Sequence, residues 1–243
     1  MENILNIAWL GLIFGMIGTT LGGVLGVFIN FKTNKILSFI LEFAAGLMTA
    51  IICFDLIPEA LNIVSIGLCI FGIVLGIIAM IFCDNFINKL YKKNSKYNSL
   101  LKAGLIVGIG LTIHNFPEGL AIGSGFEVSE SLGLSLAIAI AIHDFPEGIS
   151  MAVPMNKGGF SKLKSIILTA ISGITTGIGA LVGAIIGNIS EALIGISLAF
   201  AAGTMLYIVS CELIPESNKL YKGRFSSLGN MLGIILGIFV NIL

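Results

Sequence analysis

Eight separate stretches of this chain are each about twenty or more predominantly apolar residues long, the length that crosses a lipid hydrocarbon core. They lie at about 6 to 30, 36 to 61, 64 to 89, 102 to 125, 131 to 154, 163 to 187, 190 to 215 and 227 to 243. Inside lipid every backbone N–H and C=O must be satisfied within the protein, so stretches of this length are helices. The expected fold is an all-α integral membrane protein, an eight-transmembrane-helix bundle forming one domain over residues 1–243. The 56% hydrophobic and 11% charged content agrees, since a soluble domain has roughly 45–50% and 25%. Only Asn62 and Ser65 mark the turn between the second and third spans.

The basic residues test this count. Lys32 and Lys35 follow the first span, and Lys89, Lys92, Lys93, Lys96 and Lys102 join the third to the fourth. Lys157, Lys162 and Lys164 join the fifth to the sixth, and Lys219, Lys222 and Arg224 the seventh to the eighth. All 13 fall on one side of an eight-span bundle, while Glu2, Glu127, Glu130 and Glu191 fall on the other. A miscount by one span would scatter the lysines over both faces. Basic loops stay cytoplasmic, so both termini are expected outside, in a multi-pass protein of the cell membrane. Met1-Glu2-Asn3 has no basic n-region, and no cleavable leader is expected. Zero net charge gives no case for a nucleic-acid partner. Cys53, Cys69, Cys83 and Cys211 lie inside apolar segments without Cys-x-x-Cys spacing, which suits small packing residues better than disulfides or a thiolate zinc cage.

The chain also repeats itself. Phe43 to Glu59 reads FAAGLMTAIICFDLIPE, and 157 positions later Phe200 to Glu216 reads FAAGTMLYIVSCELIPE. On the expected topology the second span runs outward and the seventh inward, so these copies are inverted. A shorter repeat in the fourth and fifth spans is inverted as well. Spans 1 to 3 and 6 to 8 then read as inverted halves around a central pair, a 3 + 2 + 3 arrangement. Inverted repeats with a site near the midplane are a hallmark of secondary transporters.

That shorter repeat contains both histidines of the chain: His114-Asn115-Phe116-Pro117-Glu118-Gly119 and His143-Asp144-Phe145-Pro146-Glu147-Gly148. Ionisable residues in a span are expensive and usually functional. Residues four apart share a helix face one turn apart, so each motif offers an imidazole and a carboxylate together. The separation of the histidines fits two half-helices of about 11 residues and a turn of roughly seven, putting both at one depth. His114, Glu118, His143 and Glu147 would then face each other as a two-nitrogen, two-carboxylate cluster. Such a set suits Zn²⁺, and imidazole also serves Fe, Ni and Cu. Pro117 and Pro146 free the carbonyls of Ile113 and Ile142, which are tolerated where backbone lines a hydrated path. Hydrogen bonding between the two helices is the alternative use of such groups. With Asn115 and Asp144 beside them, two identical pairs bring more polar surface than gluing requires.

These residues and the topology resemble the ZIP (Zrt/Irt-like) divalent-metal transporters, in particular their short prokaryotic branch, over essentially the whole chain. The resemblance implies import of Zn²⁺, with Fe²⁺, Mn²⁺, Co²⁺ or Cd²⁺ also accepted, towards the cytoplasm. It makes His114, Glu118, His143 and Glu147 the primary ligands and places Asn115 and Asp144 at an adjoining second position that shares the glutamates. It matches Met48 to a methionine lining the site, although core filling is the plainer reading of Met48 and Met205. Two departures stand out. Aligning Ser172–Gly177 with the family's serine-glycine segment puts Thr176 where bacterial relatives carry a glutamate, so a full binuclear centre is not expected. The loop between the third and fourth spans is short and carries lysines rather than the histidine cluster of many eukaryotic relatives.

Further candidates are Asp55 and Glu59 near the outer end of the second span and Glu212 and Glu216 near the inner end of the seventh. They would attract cations at the two mouths, or be solvated helix ends. Asp84 and Glu42 carry no assigned role beyond pairing with an inner-side lysine. No GxxxxGK[ST] loop is present, which argues against ATP hydrolysis. A gradient-driven carrier fits best, with a gated metal channel and an intramembrane zinc-dependent hydrolase as alternatives. Against the hydrolase, the motif is His-x₃-Glu rather than His-Glu-x-x-His. The metal is the transported substrate and no separate cofactor is expected. The expected partners are divalent metal ions, the lipid bilayer and a second copy in a homodimer.

Overall fold

Short polar turns decide where the helices begin. Thr33, Asn98, Ser129 and Ser161 each adopt extended backbone and accept a hydrogen bond on the side-chain oxygen from an N–H of the following first turn, which satisfies a donor the helix cannot. The computed structural model describes residues 2–28, 33–92, 98–186 and 191–242. Within them the chain forms α1 (Glu2–Phe28), α2 (Asn34–Ile63), α3 (Ile66–Lys92), α4 (Ser99–Val128), α5 (Glu130–Lys157), α6 (Lys162–Ile186), α7 (Glu191–Tyr207, continued by Ile208–Leu213 and Ile214–Leu220) and α8 (Arg224–Ile242). Among the described residues seven helices are long and apolar enough to cross a membrane, and α8 contributes a shorter apolar helix, Arg224–Phe239. The protein is an all-helical membrane bundle. Lys32, Lys93 and Lys96, and the span ends at 30, 187, 190 and 243, lie outside the described residues, as do the side chains of Glu2, Lys92 and Glu191.

The hairpin between α4 and α5 is tighter than the roughly seven-residue turn expected from the histidine spacing. Ser129 alone separates the helices: its N–H bonds to the Gly125 carbonyl and its Oγ accepts from Leu132. One residue that caps both helices makes a longer loop unnecessary, so at the hairpin α4 runs three residues and α5 one residue beyond the expected spans.

Three helices are irregular. α2 and α7 widen into π turns at Ile52–Leu56 and Ile208–Leu213, where the N–H groups of Ile57 and Ile214 reach five residues back to Ile52 and Val209. Each turn stands immediately before a proline, Pro58 or Pro215. A proline ring clashes with the carbonyl four residues earlier and donates nothing to it, and a π bulge moves that carbonyl aside. α6 breaks between Ser172 and Ile174 at Gly173, which leaves the Ser172 carbonyl free for side-chain donors.

The helices pack as two sets. α1, α4, α5 and α6 pack on one another, as do α2, α3, α7 and α8; the sets meet where α4 lies against α7 and α5 against α2. Glycines let the backbones touch. Gly46 of α2 lies on the Asn230 carbonyl of α8, and Gly203 of α7 on the Ile73 carbonyl of α3. In the other set Gly148 lies on the Thr19 carbonyl and Gly119 on that of Thr176. Gly22 likewise meets the Phe145 carbonyl, and Gly179 that of Phe116. A Cβ at any of these six would overlap the facing backbone. The largest apolar cluster, which includes Leu41, Met48, Leu111, Met155, Met205 and Ile208, draws on both sets.

Candidate metal site

The tight α4–α5 hairpin brings the two hexapeptides side by side. The imidazoles of His114 and His143 stack with centroids 6.0 Å apart and planes 17° from parallel. Glu118 Oε1 lies 3.1 Å from His114 Nε2 and 3.0 Å from His143 Nε2. Glu147 Oε1 lies 3.4 Å and 3.8 Å from the same two nitrogens. One nitrogen of each histidine and one oxygen of Glu147 fall within 4.8 Å of one another. All four residues are buried.

Close as they are, these atoms do not point at one another along well-aligned hydrogen-bond directions. Among the described residues, every buried side-chain nitrogen or oxygen left without a hydrogen-bond partner belongs to His114, Asn115, Glu118, His143, Asp144, Glu147 or Thr176. Buried polar groups are normally paired, and an unpaired one costs about 1–3 kcal/mol, more when charged. Nitrogen and oxygen atoms converging on one space in this way are what a cation needs. Two imidazole nitrogens with two carboxylates form a donor set suited to a first-row divalent metal.

Further buried oxygens accompany the cluster. Asn115 donates its amide to the Ser172 carbonyl at 3.2 Å, made available by the break in α6, and this turns Oδ1 away from Ser172. Asn115 Oδ1, both oxygens of Asp144 and Thr176 Oγ1 are buried and unpartnered. Thr176 has no carboxylate to offer, so among these three residues Asp144 alone is an acid.

The other candidates separate. Asp55, on the α2 π turn, comes within 3.9 Å of His143 Nδ1 through Oδ2 with its side chain 41% exposed, and so stands between the buried ligands and the surface. Glu59 is half-buried one turn further on. Glu212 and Glu216 are buried rather than solvated, and Glu216 accepts from Ser99 at 2.6 Å and from Lys219 at 2.9 Å. Asp84 pairs with Lys102, whereas Glu42 accepts from Asn230 and not from a lysine. Met48 and Met205 are fully buried in the apolar cluster. Cys69 is packed inside, but Cys53 and Cys211 are exposed on the π turns. Sequence reasoning missed the π turns and with them the approach of Asp55 to His143; the matching prolines of the two copies, Pro58 and Pro215, were the available signal.

Comparison with known proteins gives a consistent answer. The family model described as "ZIP Zinc transporter" matches residues 94–243. The chain is 32% identical to the zinc transporter ZupT of Campylobacter jejuni, with 98% of this chain and 96% of that protein covered. It is 31% identical to ZupT of Chlorobium chlorochromatii over 92% of each chain. The zinc transporter GufA of Myxococcus xanthus is 37% identical over 60% of this chain, a match that spans 57% of that protein.

Proposed function

The chain belongs to the ZIP family of zinc transporters, and from that premise we propose that it carries Zn²⁺ towards the cytoplasm through His114, Glu118, His143 and Glu147. The observation that carries this reading is the convergence of unpartnered buried donor atoms at those residues. As a multi-pass membrane protein of a transporter family it is not a hydrolase. The two neutral imidazoles offer nitrogen lone pairs and the two carboxylates offset the charge of the dication; Asn115 and Asp144 flank them. Asp55 collects cations at the outer mouth and hands them to His143, with Glu59 behind it. An inside-negative potential favours inward movement at about 2.3 kcal/mol per charge per 100 mV. Other divalent ions, Fe²⁺, Mn²⁺, Co²⁺ or Cd²⁺, suit the same donors. With Thr176 in α6, we assign one metal per transport event rather than two.

We further infer one domain with both termini outside the cell membrane and eight spans in inverted halves. The glycine contacts support the halves. Exchanging α1–α3 for α6–α8 at a shift of 157 positions, and α4 for α5, turns each of the three carbonyl contacts into its partner: Gly46 on Asn230 into Gly203 on Ile73, Gly148 on Thr19 into Gly119 on Thr176, Gly22 on Phe145 into Gly179 on Phe116. A homodimer would pair through the apolar outer face of α3, where Phe71, Phe82 and Phe86 are exposed.

The decisive experiment is radioactive zinc uptake into proteoliposomes by the wild type and by His143→Ala with Glu147→Ala. Uptake is expected to vanish while helical content and detergent monodispersity remain. Unchanged uptake would refute the site assignment. The same vesicles separate a saturable carrier, sensitive to metal on the far side, from a pore whose flux rises linearly with concentration.

A further inference from the structure

Among the described residues, two polar bridges that join the helix sets on the basic-loop side start from the first turn of α4. Ser99 donates to Glu216 of α7, whose other oxygen holds Lys219. Lys102 lies 3.4 Å from Asp84 of α3, and Asp84 also accepts from Tyr207 of α7 at 3.0 Å and from Asn88 at 2.9 Å. Glu212 has Lys102, Asp84, Lys219 and Glu216 as its charged neighbours. One ammonium on α4 is thus tied to a carboxylate that both α3 and α7 hold in place.

The same end of the seam carries a cavity of about 420 Å³ that opens among Asn34, Ser99, Lys157, Glu216 and Lys219 and is floored by Leu37, Leu100 and Leu220. None of the metal-site residues lines it. The opposite mouth differs: Asp55 reaches His143, and among the described residues neither Asp55 nor Glu59 has a lysine or arginine in ion-pair distance. Among the described residues, the lysine–carboxylate pair that joins the two sets thus lies on the basic-loop side.

We propose that Lys102 is a positioning residue for the release step, an ion-pair clasp that ties the set holding the metal ligands to the set holding Asp84 and keeps the basic-side mouth shut until metal is bound. This rests on the transport reading above, because a cation held by α4 and α5 leaves towards the basic side only if the seam between the sets opens there. A pair whose side chains are 29% and 21% exposed is mostly covered yet still reached by solvent, so it can part without leaving a fully buried unpaired charge. It is suited to biasing two states of similar energy, where modest coupling shifts populations about fivefold or more.

Backbone hydrogen exchange at residues 99–108, followed with and without Zn²⁺, tests the clasp. In the wild type, saturating Zn²⁺ is expected to speed exchange there about fivefold. In Lys102→Met the exchange is already fast without metal and Zn²⁺ adds little; Lys102→Arg behaves as wild type, and Lys102→Asp with Asp84→Lys restores the metal response. In proteoliposomes Lys102→Met changes the maximal rate and leaves the half-saturating zinc concentration alone. Exchange at residues 99–108 that ignores Zn²⁺ in the wild type, or that is the same in Lys102→Met, overturns the clasp. Absence of zinc flux in the wild type overturns the transport reading instead, and the exchange measurement still decides the clasp.

Discussion

Phe43–Glu59 in α2 and Phe200–Glu216 in α7 share most of their letters, their π turn and their proline, yet their carboxylates live in opposite surroundings. Asp55 faces a histidine of the ligand cluster and water. Glu212, its counterpart, is buried among Lys102, Lys219, Asp84 and Glu216. The repeated letters dictate backbone shape: the shared proline is accompanied by a π turn at the same place in both copies. What each carboxylate does is decided by neighbours the repeat does not contain, lysines that α4 and the end of α7 supply to one mouth and not to the other. Duplicated geometry with unduplicated charge gives two mouths of different character.

The strongest way to break this comparison is to give the α2 mouth the charge of the α7 mouth. Asp55→Lys places an ammonium where a carboxylate now stands, next to His143. Two unit charges at 4 Å interact by about 1 kcal/mol in water and about 4 kcal/mol at an effective dielectric of 20, and the cargo carries two charges. Zinc uptake at limiting concentration is expected to fall about a hundredfold, and Asp55→Ala to cost about fivefold. Initial rates in proteoliposomes across a salt series check this, since screening should soften the lysine effect at the exposed mouth. Wild-type rates in Asp55→Lys would remove Asp55 from the pathway.

A second test sharpens the part of the comparison that is backbone alone. Gly46 and Gly203 each lie on a carbonyl of the partner helix. Gly46→Val and Gly203→Val should each cost stability by about 1–3 kcal/mol through overpacking. The prediction is equality: thermal unfolding in detergent should shift by similar amounts, because both positions do the same packing work despite the different charges nearby. A shift in only one would mean that the copies are not packed alike.

How far the sequence reached follows from the same division. Apolar run length made the helical membrane bundle legible, because lipid leaves backbone no other solution. The His-x₃-Glu spacing grouped His114 with Glu118 and His143 with Glu147, since four residues is one turn, and only the hairpin length was misjudged. The approach of Asp55 to His143 was not legible, because it depends on a π turn that shifts the helix face by one residue and on the packing of α2 against α5. The burial of Glu212 and Glu216 was hidden for a related reason: helix-end carboxylates look solvated until Ser99 and Lys102, more than a hundred positions away, are seen beside them.

The smallest effect expected comes from the prolines that the two copies share. Pro58→Ala and Pro215→Ala restore an N–H and remove the ring that crowds Phe54 and Cys211, so each helix regains the option of regular α winding. If α2 takes it, Asp55 rotates away from His143, and uptake at limiting zinc falls by no more than the fivefold assigned to removing the carboxylate altogether. If α7 takes it, Glu212 stays among lysines and outside the ligand cluster, and uptake changes less. Pro58→Ala should therefore exceed Pro215→Ala in its effect on the half-saturating zinc concentration, with both below Asp55→Lys. The reverse order would mean that the α7 mouth, not the α2 mouth, governs how the cation reaches the histidines.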